Sequence, residues 1–125
     1  MDNRLGKLEI YQKALKLSDM GWKIFKRLPK QFQFDIGLQF LKACDSVGAN
    51  IAEGYGRFHY RDKIKFYYNA RGSLWEAKHW LFLLFKREFI QKDEFDEVLQ
   101  LLNEMGKQIN NFIRKTGNKN VANDQ

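Results

Sequence analysis

Cysteine occurs once in this chain, proline once and histidine twice. The lone Cys44 excludes an intrachain disulfide and a cysteine-rich zinc site, and a chain without disulfides suits a reducing cytoplasm. With Pro29 the only proline, long stretches are free of helix breakers, which argues for an all-helical chain. The longest uninterrupted apolar run is Trp80–Phe85, far below the roughly 20 residues that a membrane span needs. No apolar stretch follows Met1-Asp2-Asn3-Arg4, so no signal peptide is expected. Acids are scarce too, 15 against 22 Lys plus Arg, giving a net charge of +7 and a pI of about 9.5. That excess suits polyanionic partners. At 125 residues the chain is one domain, long enough for a real core.

What the chain has in plenty is apolar residues at helical spacing. Ile10, Ala14, Leu17, Gly21, Ile24 and Leu28 alternate steps of four and three, which predicts a helix over about 8–28, ended by Pro29. Phe40, Cys44, Val47 and Ile51 predict a second over about 35–53. Asp35 suits its N-cap or its positive first turn, and Gly54 a left-handed stop. Cys44 on this seam reads as a small buried hydrophobe rather than a nucleophile. Gly48 and Gly72 are expected to let neighbouring helices approach closely.

A third helix, over about 62–89, carries two apolar lines. One is Phe66, Ala70, Leu74, Ala77, Leu81 and Leu84; the other is Tyr68, Trp75, Phe82 and Phe89, recurring every seven residues on a different face. A helix apolar on two faces is buried on two sides. The aromatic line therefore meets either a neighbour in its own bundle or another subunit, as an oligomer interface. A fourth helix over about 92–116 has the seam Phe95, Val98, Leu102, Met105, Ile109 and Phe112, with early acids that suit its N-terminus. The expected fold is all-α, an antiparallel up-down four-helix bundle over residues 1–116. Residues 117–125, GNKNVANDQ, have little to bury and are expected to be a disordered tail.

Enzyme chemistry finds little support. Glu76 and His79 form one Glu-x-x-His pair, where a di-metal bundle needs two such pairs and further glutamates. Ser46 and Ser73 lie in helices, without the strand–turn–helix elbow that exposes a nucleophile. Gly54-Tyr55-Gly56-Arg57 lacks the Gly-Lys-Ser/Thr ending of a phosphate loop. No catalytic residue, metal site or cofactor is expected. Glu53 at the negative end of a helix dipole needs a cation near it. A polar cluster of Ser46, Asn50, Glu53, Arg71, Ser73 and Glu76 is expected where the second and third helices meet, fixing their register.

Cations are the main functional lead. Arg57, Arg61, Lys63 and Lys65 are interleaved with Phe58, His59 and Tyr60, a mixture suited to phosphates and to stacking on unpaired bases. Lys13, Lys16, Lys23 and Arg27 lie along one flank of the first helix. Both sets are candidate nucleic-acid contacts, to RNA or DNA. The alternative is a protein-interaction or structural homo-oligomer with no nucleic-acid role.

The motif residues carry a resemblance. Ser46, Asn50, Ile51, Ala52, Glu53, Gly54, Gly56 and Arg57, then Ala70, Gly72, Ser73, Leu74 and Glu76, resemble the small bacterial four helix bundle family. That family is named for proteins encoded in intervening sequences of 23S ribosomal RNA genes. The accessory variability determinant of diversity-generating retroelements is a relative. The resemblance covers nearly the whole chain. Resemblance to the retroelement accessory proteins implies a ring-like homopentamer with a basic surface that binds nucleic acid, with a reverse transcriptase as a further candidate partner, whereas resemblance to members encoded within ribosomal RNA genes implies only a link to RNA.

Overall fold

The computed structural model describes residues 3–124, with side chains over 3–120. Four long helices make the fold: α1 Glu9–Arg27, α2 Leu38–Tyr55, α3 Tyr60–Lys86 and α4 Lys92–Asp124. One extra turn, Arg4–Lys7, precedes α1. No strand occurs among the described residues, so the all-α fold expected from the sequence is present. Each long helix packs on the next, and α1 closes on α4. Neighbours run in opposite directions. Gly48 lies beside Ala14 and Cys44 beside Gly21; Tyr67 meets Phe112 and Phe85 meets Phe95; Lys13 reaches Glu104 and Arg27 reaches Glu94.

The seams of α1 and α2 are buried residue for residue as their spacing predicts. Each large apolar side chain so enclosed contributes about 1.5–3 kcal/mol. Cys44 is fully buried, and a Cβ on Gly21 would stand 3.2 Å from its Sγ. Desolvation pushes its thiol far up, so it behaves as a small hydrophobe. Gly48 does bring helices together, since a Cβ there would lie 3.2 Å from Ala14 Cβ. Gly72 does not: it is exposed, and a Cβ there would meet nothing within 4 Å.

On α3 the buried line starts at Tyr67, not at Phe66. Gly54 decides this, because its bare Cα leaves room on α2 for the Tyr67 ring. Phe112 closes the other side of that ring, edge-on with centroids 5.2 Å apart. Phe66 is left half-buried beneath the Arg57 guanidinium, 4.7 Å from its ring.

The helix ends differ from expectation more than the seams do. The chain leaves α1 through Pro29, a short turn at Lys30–Phe32 and a widened π turn at Gln33–Gly37. Asp35 breaks helical geometry there (φ −117°, ψ −106°), so α2 begins at Leu38 and Asp35 does not cap it. Gln33 Nε2 donates instead to the Phe25 and Lys26 carbonyls, which satisfies the end of α1. Gly54 is not a left-handed stop: α2 runs to Tyr55, and no glycine has positive φ.

α3 ends at Lys86 in a Schellman turn, with Phe89 N–H bonded to the Leu84 carbonyl and Glu88 N–H to that of Phe85. Glu88 occupies the left-handed position at φ 66°. Phe89 then folds back on Phe32, with centroids 4.8 Å apart. The tail expected to be disordered over 117–125 instead continues α4 to Asp124, and Gln125 lies outside the described residues. Thr116 is buried and Gly117 faces Ile64 of α3, so this stretch has a packing partner that its own composition does not advertise. Among the described residues no helix is long and apolar enough to cross a membrane.

Candidate nucleic-acid interface

The α2–α3 connection presents Phe58 almost entirely to solvent, 90 % exposed, with the His59 ring edge-on at 5.1 Å. The four cations predicted around it have separate tasks. Arg61 and Lys65 are exposed on the first turns of α3. Arg57 is tethered to Glu53 at 2.9 Å and lies over Phe66. Lys63 points inward: its Nζ donates to the Tyr55 carbonyl at 2.7 Å and to that of Gly54 at 3.4 Å. It thus satisfies the orphan carbonyls at the end of α2. Desolvation, and then the charge of Lys119, lower its pKa.

The same end of the bundle gathers cations from two segments outside the predicted sets. Arg4 lines a groove of about 530 Å³ with Leu5, Ala52, Tyr55, Gly56 and Lys63. Lys119, whose charge acts on Lys63, arrives on the last turns of α4, with Lys115 one turn before it. At the opposite end two cations are held by carboxylates, Lys92 by Asp96 at 3.0 Å and Arg27 by Glu94.

The flank of α1 is not one basic surface. Arg27 grips both carboxylate oxygens of Glu94, and this bond raises its pKa. Lys13 lies between Glu9 at 3.5 Å and Glu104 at 3.6 Å. Only Lys16 and Lys23 of that set face solvent without a carboxylate partner. The acidic stretch of α4 thus takes up part of the basic stretch of α1.

The polar cluster expected between α2 and α3 does not assemble. Asn50 donates to the Ser46 carbonyl one turn back, Glu53 holds Arg57, and Glu76 accepts from Trp80 Nε1. Arg71 turns the other way, donating to Asn110 of α4 at 3.1 Å and covering the Tyr68 ring at 4.7 Å. Ser73 is half-buried. Asn50, Glu53, Arg71 and Glu76 each find a partner outside the cluster or one turn away, and apolar residues such as Tyr67 take the shared interface. Among the described residues no group of three His, Cys, Asp or Glu is placed to hold a metal.

Tyr68, Trp75 and Phe82 form an outward stripe on α3, with exposures of 46, 64 and 51 %. Lys78 covers Trp75 at 4.3 Å, and Phe82 leans edge-on against Phe95. Phe89 is not part of the stripe, because the chain has left the helix and Phe89 packs on Phe32.

A family model described as 23S rRNA-intervening sequence protein matches residues 6–111. A crystal structure from Bacteroides thetaiotaomicron, of a protein of unknown function from the S23 ribosomal protein family, superposes with a TM-score of 0.78. The two share 25% identity over 83% of this chain and 97% of that one. None of the curated proteins matches.

Proposed function

The chain belongs to the 23S rRNA-intervening sequence protein family, and from that premise we propose that it is a non-catalytic, oligomeric nucleic-acid-binding or accessory protein of the cytoplasm. One observation carries the proposal: a fully presented Phe58 stands at the end of the bundle where Arg61, Lys65, Lys115 and Lys119 collect from separate helices. Cations supply affinity for phosphates of RNA or DNA, and an exposed ring beside them stacks on an unpaired base. Nothing in the site is shaped to read base edges, so weak sequence selectivity is expected.

The alternative is a structural homo-oligomer with no nucleic-acid role, favoured by the exposed Tyr68, Trp75 and Phe82 stripe. Self-association is common to both readings. Salt-titrated binding to single- and double-stranded RNA and DNA separates them. Engagement of about four to six phosphates gives a log–log salt slope of about −3 to −5. Replacing Arg61, Lys65 and Lys119 by Glu should abolish binding, and Phe58→Ala should weaken single strands most, both with helicity unchanged. No binding to any of these at about 50 mM salt, where phosphate contacts are strongest, would leave the structural oligomer.

A further inference from the structure

The groove between Arg4 and Lys63 is built by three segments: Arg4 and Leu5 of the turn before α1, Ala52, Tyr55 and Gly56 at the end of α2, and Lys63 in the first turn of α3. Leu5, Ala52 and Tyr55 give it apolar walls, and Arg4 and Lys63 supply cations. Lys63 is half-buried, with its Nζ 5.5 Å from the centre of the Tyr55 ring. An ammonium has three N–H groups. Two donate to the Gly54 and Tyr55 carbonyls, which leaves one for whatever enters the groove. Held in this way, Lys63 has little side-chain freedom left to lose on binding.

We propose that this groove binds a phosphomonoester, the terminal phosphate of a nucleic-acid strand or of a free nucleotide. The inference rests on the nucleic-acid reading above and names which phosphate the basic end selects. The Lys63 pKa is lowered by desolvation and then by the charge of Lys119 on α4, so the two ammonium groups feel each other. Cations thus converge from separate segments and repel, and a bound anion relieves the repulsion. A phosphate inside a strand carries one negative charge, whereas a terminal one carries about 1.5–2 at pH 7. The denser charge suits the denser cluster.

The negative groups of the adjoining segments leave the lining cationic. Among the described residues no carboxylate lines the groove. Glu53 of α2 is held by Arg57 at 2.9 Å, and Glu9 of α1 lies 3.5 Å from Lys13. Asp62, next to Lys63 in sequence, is exposed and lies outside the lining. The carbonyls that end α2 carry partial negative charge, and Lys63 is bonded to two of them. Phe58, two residues after Gly56, offers its ring to a base next to the anchored phosphate.

The test compares strand ends. A short single-stranded RNA is prepared with a 5′-phosphate, with a 3′-phosphate and with hydroxyls at both ends, alongside adenosine monophosphate and adenosine. In calorimetry on the full chain at about 150 mM salt, one phosphorylated strand should bind about tenfold tighter than its hydroxyl twin, the effect of one added charge-assisted hydrogen bond. Adenosine monophosphate should bind where adenosine does not, and as tightly as the strand if the free nucleotide is the ligand. Gly56→Glu puts a carboxylate into the groove, at a site where the atoms nearest a Cβ are the Ala52 and Glu53 carbonyl oxygens, at 3.5 and 3.8 Å, so the bundle should keep its helicity. It should erase the preference for the phosphorylated end, whereas Arg61→Glu should weaken all strands alike and keep that preference. Equal binding of the three strands, or a preference that survives Gly56→Glu, would overturn the groove while the nucleic-acid reading stands. Adenosine monophosphate binding without any strand would uphold the groove and overturn that reading. No binding by either would overturn both.

Discussion

Gly54 and Tyr67 touch so closely that a Cβ at position 54 would sit 2.7 Å from Tyr67 Cε1 and 3.0 Å from Phe66 Cβ. That contact fixes how α2 slides against α3, and it predicts the sign of a substitution. Helix propensity favours Gly→Ala by about 1 kcal/mol, whereas forcing a methyl group into a filled site costs about 1–3 kcal/mol. Gly54→Ala should therefore lower the melting temperature. Gly72→Ala, made where a methyl group meets nothing within 4 Å, should raise it. Equal rises at both positions would show that the Gly54 contact constrains nothing.

Tyr67 predicts an alkaline limit. Burial, with a smaller contribution from Tyr55, pushes its phenol from 10.0 up to about 12. The folded state resists ionisation, so the stabilisation is whole below pH 10 and is lost as pH climbs through about 12. Tyr67→Phe should shrink the loss of stability between those values relative to wild type, by up to about 2 kcal/mol. Urea melts of both proteins across that range provide the measurement. Parallel stability curves would mean that the phenol ionises without hindrance.

Glu88 predicts a stabilising change. A non-glycine residue in the left-handed conformation costs about 1–2 kcal/mol, and Glu88 holds φ 66° in the turn that ends α3. Glu88→Gly relieves that cost, and part of the gain is offset by the greater freedom of glycine in the unfolded chain. A net gain of about 0.5–1 kcal/mol, visible as a higher midpoint in urea, is expected. A lower midpoint would mean that the glutamate side chain supports the turn.

The sequence makes the seams legible because four-and-three spacing is a local property of a helix. Ile10 through Leu28 on α1 needed no tertiary information to place. Phe66 and Tyr67 show where locality stops. They are adjacent aromatics, about 100° apart around the axis, and a glycine on another helix chooses between them. Charge is harder still. Arg27 and Glu94 are 67 residues apart, so no run or spacing reveals that they cancel. The basic end was half visible: Arg57, Arg61, Lys63 and Lys65 fall within nine residues of sequence, but Arg4 and Lys119 join them only through the bundle's topology. Lys63 sits among exposed cations in the sequence yet turns inward as a cap, a role set by where α2 ends.

The pairing of Arg27 with Glu94 and of Lys13 with Glu104 matters beyond the α1–α4 contact that it ties down. By cancelling charge along the α1–α4 contact, it leaves the exposed Arg61, Lys65, Lys115 and Lys119 at the Phe58 end as a concentration of positive charge outside those pairs. Near a polyanion such a body is turned before it is touched, with the Phe58 end leading. The torque acts only within about 8 Å at physiological ionic strength. Added salt should therefore slow productive arrival by scrambling orientation, quite apart from weakening any contact made afterwards.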